Sequence, residues 1–154
     1  SMVSRWYIGE LALAVIGMKA NLDSHWGNAE DNAAIIVRFP GAMALFEGSW
    51  TTWDHGVPTG PIVYGTEGTI VLDSGCIRRE QGGGNTTTYQ SDPLPEGRTK
   101  IANEFIHHLK TGEPFHQTLE ASFNLEVMAI LDAGIKSAAS GQLEPVNNGT
   151  WQIG

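Results

Sequence analysis

"AAIIVRFPGAMALFEGSWTTW", residues Ala33 to Trp53, decides how this chain is read. Its opening run, Ala33 to Pro40, is rich in β-branched side chains. Alternation puts Ile35, Val37 and Phe39 on one face and Ile36 and Arg38 on the other. Pro40-Gly41 then makes a tight turn. The returning run sets Ala44, Phe46, Gly48 and Trp50 on one face, opposite Met43, Leu45, Glu47 and Ser49. Two runs joined by so short a turn predict an antiparallel hairpin.

The pattern extends in both directions. Upstream, "VSRWYIGE" (Val3 to Glu10) reads as the last turns of a helix, with Gly9 near its C-cap. "LALAVIGMKANL" reads as a strand with mixed faces. "NAEDNA" (Asn28 to Ala33) is turn chemistry, because Asn and Asp side chains bond nearby backbone. Downstream, "PIVYG" and "TIVLD" flank "TEG", and "CIRRE" and "TTTYQ" flank "QGGGN", predicting two further hairpins. "DPLPEGR" is a loop whose prolines stop the sheet.

Helical spacing follows. "TKIANEFIHHLKTGEP" places Ile101, Phe105 and Leu109 on one apolar stripe, ended by Gly112 and Pro114. "TLEASFNLEVMAILDAGIKSAASG" starts at Thr118 as N-cap, has Glu120 in its first turn and stops at Gly141. Its buried stripe is Leu119, Phe123, Val127, Ile130, Gly134 and Ile135. "VNNGTWQIG" reads as a final edge strand. Hairpins followed by helices predict an α+β fold: a mostly antiparallel open sheet with helices packed on one face. The strands are apolar on both sides, so the other face is left for an oligomer or domain contact.

Composition bounds the function. A chain of 154 residues, 41% hydrophobic and 17% charged, is a folded single domain, not a disordered segment. A net charge of −8 with nine Lys plus Arg argues against a nucleic-acid partner, which needs clustered cations. Cys76 is the single cysteine, so neither an internal disulfide nor a cysteine zinc site is expected, and a reducing, cytoplasmic setting is. The longest apolar run, "LALAVIG", has seven residues against the about 20 of a membrane helix, so no membrane association is expected. No signal peptide is expected either, and the opening Ser1-Met2 reads as the start of a trimmed chain.

The glycine-rich "GGGN" and "YGTEG" lie between short strands, where hairpin turns explain them better than a phosphate cradle does. His107 and His108 are adjacent on a predicted helix and point about 100° apart, so they do not grip one metal; one half-buried and one exposed ring is expected. His116, in the loop before the last helix, shows no obvious partner. Two segments carry more chemistry: "LDSHWG" (Leu22 to Gly27) and "TWDHG" (Thr52 to Gly56). Each sets aromatic, histidine and aspartate side chains at a strand end before a glycine. Flat aromatic faces suit sugar rings, and Asp and His suit hydroxyls. The candidate substrate-binding residues are therefore His25, Trp26, Trp50, Trp53, Asp54 and His55. An aromatic strand end packed on a neighbouring loop accounts for the same residues. Asp54 and His55 do not read as a catalytic dyad, because adjacent strand residues face opposite sides, and no nucleophile motif is present.

Four segments taken in order, "AEDNAAIIVRFPGAMALFEGSWTT", "IVYGTEGTIVLD", "NEFIHHLKTGEP" and "AILDAGIKSAASGQ", resemble the C-terminal domain of the Gfo/Idh/MocA oxidoreductases, the family of glucose–fructose oxidoreductase and inositol dehydrogenase. The resemblance runs from about Val3 to Gln142. It implies a two-domain enzyme in which a Rossmann domain binds NAD(P). The C-terminal domain then walls the substrate pocket and builds a homo-oligomer through its exposed sheet face. The Rossmann domain and the Glu-Lys-Pro segment with the family's usual catalytic lysine have no counterpart here. No catalytic, cofactor-binding or metal-binding residue is carried over, and the chain alone is expected to bind no cofactor and to turn nothing over. The readings are the substrate-pocket and oligomerisation domain of an NAD(P)-dependent sugar or polyol dehydrogenase, a non-enzymatic self-associating sheet module, or a small carbohydrate-binding domain.

Overall fold

The computed structural model describes residues 2–25, 27–52, 60–73 and 75–154. Its elements run α1 (Met2–Ile8), β1 (Ala14–Ala20), β2 (Asn32–Arg38), β3 (Met43–Ser49), β4 (Ile62–Gly65), β5 (Gly68–Asp73), β6 (Cys76–Gln81), β7 (Asn85–Gln90), α2 (Ile101–Thr111), α3 (Ala121–Ser140) and β8 (Glu144–Pro145). The fold is α+β and every strand pair is antiparallel. The strands do not make one sheet. They form two of four strands each, β3-β2-β1-β8 and β4-β5-β6-β7. The chain correspondingly divides into two compact units, Ser1–Thr51 with His108–Gly154, and Thr52–His107.

The first unit holds the main core. Val15, Val37, Phe39, Ile130 and Val146 are buried to 2% exposure or less, and each contributes about 1.5–3 kcal/mol of apolar burial. The β2–β3 hairpin has the expected faces: Val37 and Phe39 are buried with Ile35, Ala44 and Phe46 packed beside them, while Ile36, Met43 and Leu45 are exposed. α3 lies on this inner face. Its sheet-facing residues Ala129, Ala133 and Gly134 are small, so its backbone comes close. A Cβ on Gly17 would stand 2.9 Å from the Gly134 carbonyl oxygen, and a Cβ on Gly134 3.1 Å from Ile35 Cγ2. Ile135, expected in the buried stripe, is exposed, and the fully buried Ser137 takes the position three residues beyond Gly134.

Ser137 has a specific task. β8 pairs with Ala14 and Val15 only. Two residues further along β1, the Gly17 N–H donates to Ser137 Oγ at 2.9 Å, and that hydroxyl donates to the Gln142 carbonyl at 2.6 Å. A buried strand amide is thus satisfied by a helix side chain where the sheet partner ends.

The termini of this unit differ from expectation in two ways. α3 begins at Ala121 with Glu120 as N-cap, not at Thr118, because Gln117–Leu119 form a separate 3-10 turn capped by the His116 side chain. His116 therefore has a partner, Thr118, and its ring also meets Trp6 edge-on at 5.7 Å. The tail is a turn, not a strand. Asn148 Oδ1 accepts from the amides of Thr150 and Trp151, and Trp151 Nε1 donates to Asp132 Oδ2 at 2.7 Å. The two-residue β8 precedes it.

The second unit is a meander with tight turns. Gly83 and Gly84 take φ of +84° and +80° in the β6–β7 connection, as the hairpin reading requires. Val71 is buried, and β7 is exposed along its length. α2 starts in this unit and ends in the first. Its expected stripe is not its buried position: Ile101, Phe105 and Leu109 are exposed. Glu104 is buried instead, taking Arg98 Nε at 2.6 Å and Nη2 at 2.5 Å. His107 and His108 are both half-buried, and the His108 ring stacks on Phe115 at 4.0 Å.

Ser137→Ala removes the acceptor of the Gly17 amide and leaves it buried. A loss of about 1–3 kcal/mol is expected in the urea unfolding of the first unit. A change within about 0.5 kcal/mol, the range of ordinary surface substitutions, would show that the hydroxyl does not hold β1 to α3.

Candidate functional site

The register places three chain segments at one end of the first sheet. Ala20, Asn32 and Ser49 are direct neighbours across β1, β2 and β3. The β1–β2 loop with His25 and the exit of β3 with Trp50 therefore emerge together.

Asp31 organises this end. It is buried, with 4% exposure, at the last position of the loop. Its Oδ1 accepts from the Leu22 amide at 2.8 Å and from Asn32 Nδ2 at 2.9 Å. Its Oδ2 accepts from the amides of Asp23 and Ser24, each at 2.8 Å. The amides of Asp23 and Leu22 hold the Asp31 carboxyl far below the usual carboxylate range, outweighing the opposing effect of burial. Asn21 Nδ2 closes the loop from the other side on the Ala29 carbonyl at 2.9 Å. Lys19 pairs with Glu30 and keeps that carboxyl low as well. At the β3 exit, Trp50 N–H donates to the Asp31 carbonyl at 2.9 Å, and Asn32 Nδ2 reaches Thr51 Oγ1 at 3.1 Å.

The candidate side chains fare differently. Trp50 is 91% exposed, so it is not spent on core packing. His25 is exposed, with Nε2 3.7 Å from Asp23 Oδ1. Trp26, Trp53, Asp54 and His55 lie outside the described residues. The structure thus brings His25 and Trp50 to one end of one sheet. The sequence reading treated Asp31 and Asn32 as turn residues. The signal that was available is an Asp-Asn pair where the loop enters β2, with Asp31 last in the loop and Asn32 first in the strand.

On the helix side of the same sheet, a cleft of about 350 Å³ opens between Ile35, Phe46 and Gly48 on the strands and Leu131, Ile135 and Ala138 on α3. It is lined almost wholly by carbon, with Lys19 and Glu47 as its charged members. Among the described residues no group of three or more His, Cys, Asp or Glu is placed to hold a metal ion, and no helix is long and apolar enough to cross a membrane.

Residues 2–71 match the family model of the GFO/IDH/MocA C-terminal domain. No curated protein matches the sequence. Among solved structures, the aldose-aldose oxidoreductase from Caulobacter crescentus complexed with glycerol is 20% identical with a TM-score of 0.73, and the match covers 94% of this chain and 44% of that one. A Klebsiella pneumoniae protein described as an oxidoreductase is 15% identical, with TM-score 0.68 and coverage of 96% and 47%. GenD2 from gentamicin A biosynthesis, in complex with NAD, is 17% identical, with TM-score 0.55 and coverage of 96% and 45%. At these identities the likeness is one of fold, and the chain spans less than half the length of each structure.

Because its folded carboxyl lies below its unfolded value, Asp31 contributes stability that is complete above the ordinary carboxylate pKa of about 4 and is lost only as pH falls further, through the depressed value. In an acid titration followed by NMR, the amide resonances of Leu22, Asp23 and Ser24 are expected to hold their positions through pH 4. Movement of all three with a midpoint near the ordinary value would contradict the amide cradle.

Proposed function

We propose that this chain, a Gfo/Idh/MocA C-terminal domain over residues 2–71, forms the substrate-side wall and the assembly surface of an NAD(P)-dependent oxidoreductase acting on a sugar or polyol. The observation that carries the reading is the end of the first sheet. There a buried carboxylate fixes a loop beside a strand exit, and both present side chains to solvent, His25 and Trp50. A residue spent on packing would be covered, whereas Trp50 is open to solvent beside a loop that three amide bonds to Asp31 hold in place. An exposed indole face and an imidazole suit a ring that carries hydroxyls. Trp26, Trp53, Asp54 and His55 join them in this reading by position in the sequence. The glycerol in the Caulobacter crescentus complex and the NAD in the GenD2 complex are consistent with polyol chemistry at a nicotinamide.

The cofactor, when bound, supplies hydride transfer at its nicotinamide, and the nucleotide itself belongs to a Rossmann domain. The described residues offer it no phosphate cradle: the glycine-rich turns at Gly65–Gly68 and Gly82–Gly84 connect strand to strand. This chain's share is to orient the substrate and exclude water from one side.

Assembly is assigned to the outer face of the first sheet. Cross-strand rows there join Ile16, Ile36 and Leu45, flanked by Met18 and Met43, and the two methionines are 78% and 77% exposed. An apolar face of this kind is covered in the working protein, and a second copy is the proposed cover. The setting proposed is the cytoplasm, in keeping with one cysteine and no disulfide.

The chain alone is expected to show no turnover with NAD(P) and aldoses or polyols, and no tight cofactor binding by calorimetry. In the intact oxidoreductase that contains it, Trp50→Ala is expected to raise KM for the sugar about tenfold, the value of roughly 1.4 kcal/mol of lost stacking. An unchanged KM and kcat would remove Trp50 from the pocket, and turnover by this chain alone would overturn the division of labour.

A further inference from the structure

His25 and Trp50 lie 25 residues apart in the sequence, on separate segments, yet both segments are tied to the same two consecutive residues. An aspartate in an ordinary turn bonds amides about two residues on. Asp31 instead reaches back seven to nine residues, to Ser24, Asp23 and Leu22, and so holds the loop that carries His25. Its backbone carbonyl holds the other segment, taking the Trp50 amide at 2.9 Å. Asn32 joins the two through one NH2 group, which donates to Asp31 Oδ1 at 2.9 Å and to Thr51 Oγ1 at 3.1 Å. Thr51 is held in turn by Ser49 Oγ, which accepts its amide and bonds its hydroxyl, each at 3.1 Å.

We propose that Asp31 and Asn32 form a latch that fixes the loop bearing His25 against the β3 exit bearing Trp50. Asp31 is then a positioning residue for the pocket rather than a group that touches substrate. Only the use of the two segments as a pocket wall rests on the function proposed above; the latch itself does not. The negative charge is part of the device. Bonds from amides to an ionised carboxylate are roughly twice as strong as neutral ones, and a carboxylate can accept on both oxygens where a carboxamide accepts on one. Asp31→Asn keeps the size but turns one arm into a donor facing amide donors. Asn32→Ala keeps the cradle of amides and cuts the link to Thr51.

Hydrogen exchange on this chain tests the latch without any ligand. In the unmodified protein the Leu22, Asp23 and Ser24 amides are expected to exchange slowly although the loop lies at the surface. In Asp31→Asn they are expected to exchange faster by at least about tenfold, while the Val15 and Val37 amides of the core keep their rates. In Asn32→Ala the Thr51 amide is expected to accelerate and the Leu22 to Ser24 amides to stay protected. Unprotected Leu22 to Ser24 amides in the unmodified protein would overturn the proposal, and so would unchanged rates in Asp31→Asn. If Asp31→Asn does not fold, the unmodified protein and Asn32→Ala decide by the same criteria. The two readings fail separately: in the intact enzyme, an unchanged KM in Trp50→Ala sinks the pocket and leaves the latch. Free exchange at Leu22 to Ser24 sinks the latch and leaves the pocket.

Discussion

The close approach of α3 to β1 is the constraint on which the first unit depends. Gly17 and Gly134 meet where a Cβ on the first would run into the carbonyl of the second and a Cβ on the second would press on Ile35, and the hydroxyl of Ser137 takes the strand amide that no neighbouring strand pairs. A helix held this tightly covers one face of the sheet and fixes the inner rows Val15–Val37–Ala44 and Gly17–Ile35–Phe46 beneath it. Strand alternation then sends Ile16, Ile36, Met43 and Leu45 to the opposite side. The apolar outer face follows from the same docking that makes the core.

The site stands on the same frame at one end. The three strands are in register up to Ala20, Asn32 and Ser49, and the chain leaves the sheet there twice within reach of Asp31. Burying a carboxylate is costly unless its acceptor capacity is used, and four N–H donors use it. That requirement orders the loop, and the order is local. The donors to its carboxylate all lie within the first unit.

What could be read from sequence was the short-range part. The hairpins at Pro40-Gly41, Thr66-Glu67 and Gly82 to Gly84 were legible, because turn residues and alternating strands lie within about ten residues of one another. The α+β class followed from their order, and the apolar outer face from side chains on both faces of the strands. The split into two sheets was not legible, since no local signal says which hairpin pairs with which. The apolar spacing of Ile101, Phe105 and Leu109 described a face that α2 does not bury; its buried position is Glu104, which pairs with Arg98. The tail misled for another reason: Asn148 folds its own backbone into a turn, which outweighs the β-propensity of Trp151 and Ile153. At the site, His25 and Trp50 were visible as residue types, whereas Asp31 was visible only as turn chemistry. Three of its four donors stand seven to nine positions away and are backbone amides, which carry no sequence signature.

The proposed division of labour, in which this chain walls a pocket and holds copies together while another domain takes the nucleotide, predicts assembly without the nucleotide. Light-scattering mass of this chain, measured with and without NAD(H), tests that claim most directly. A dimer or tetramer whose mass ignores the cofactor, and which Leu45→Glu on the outer face of the first sheet returns to monomer, is the expected result. A monomer that binds NAD(H) would contradict it.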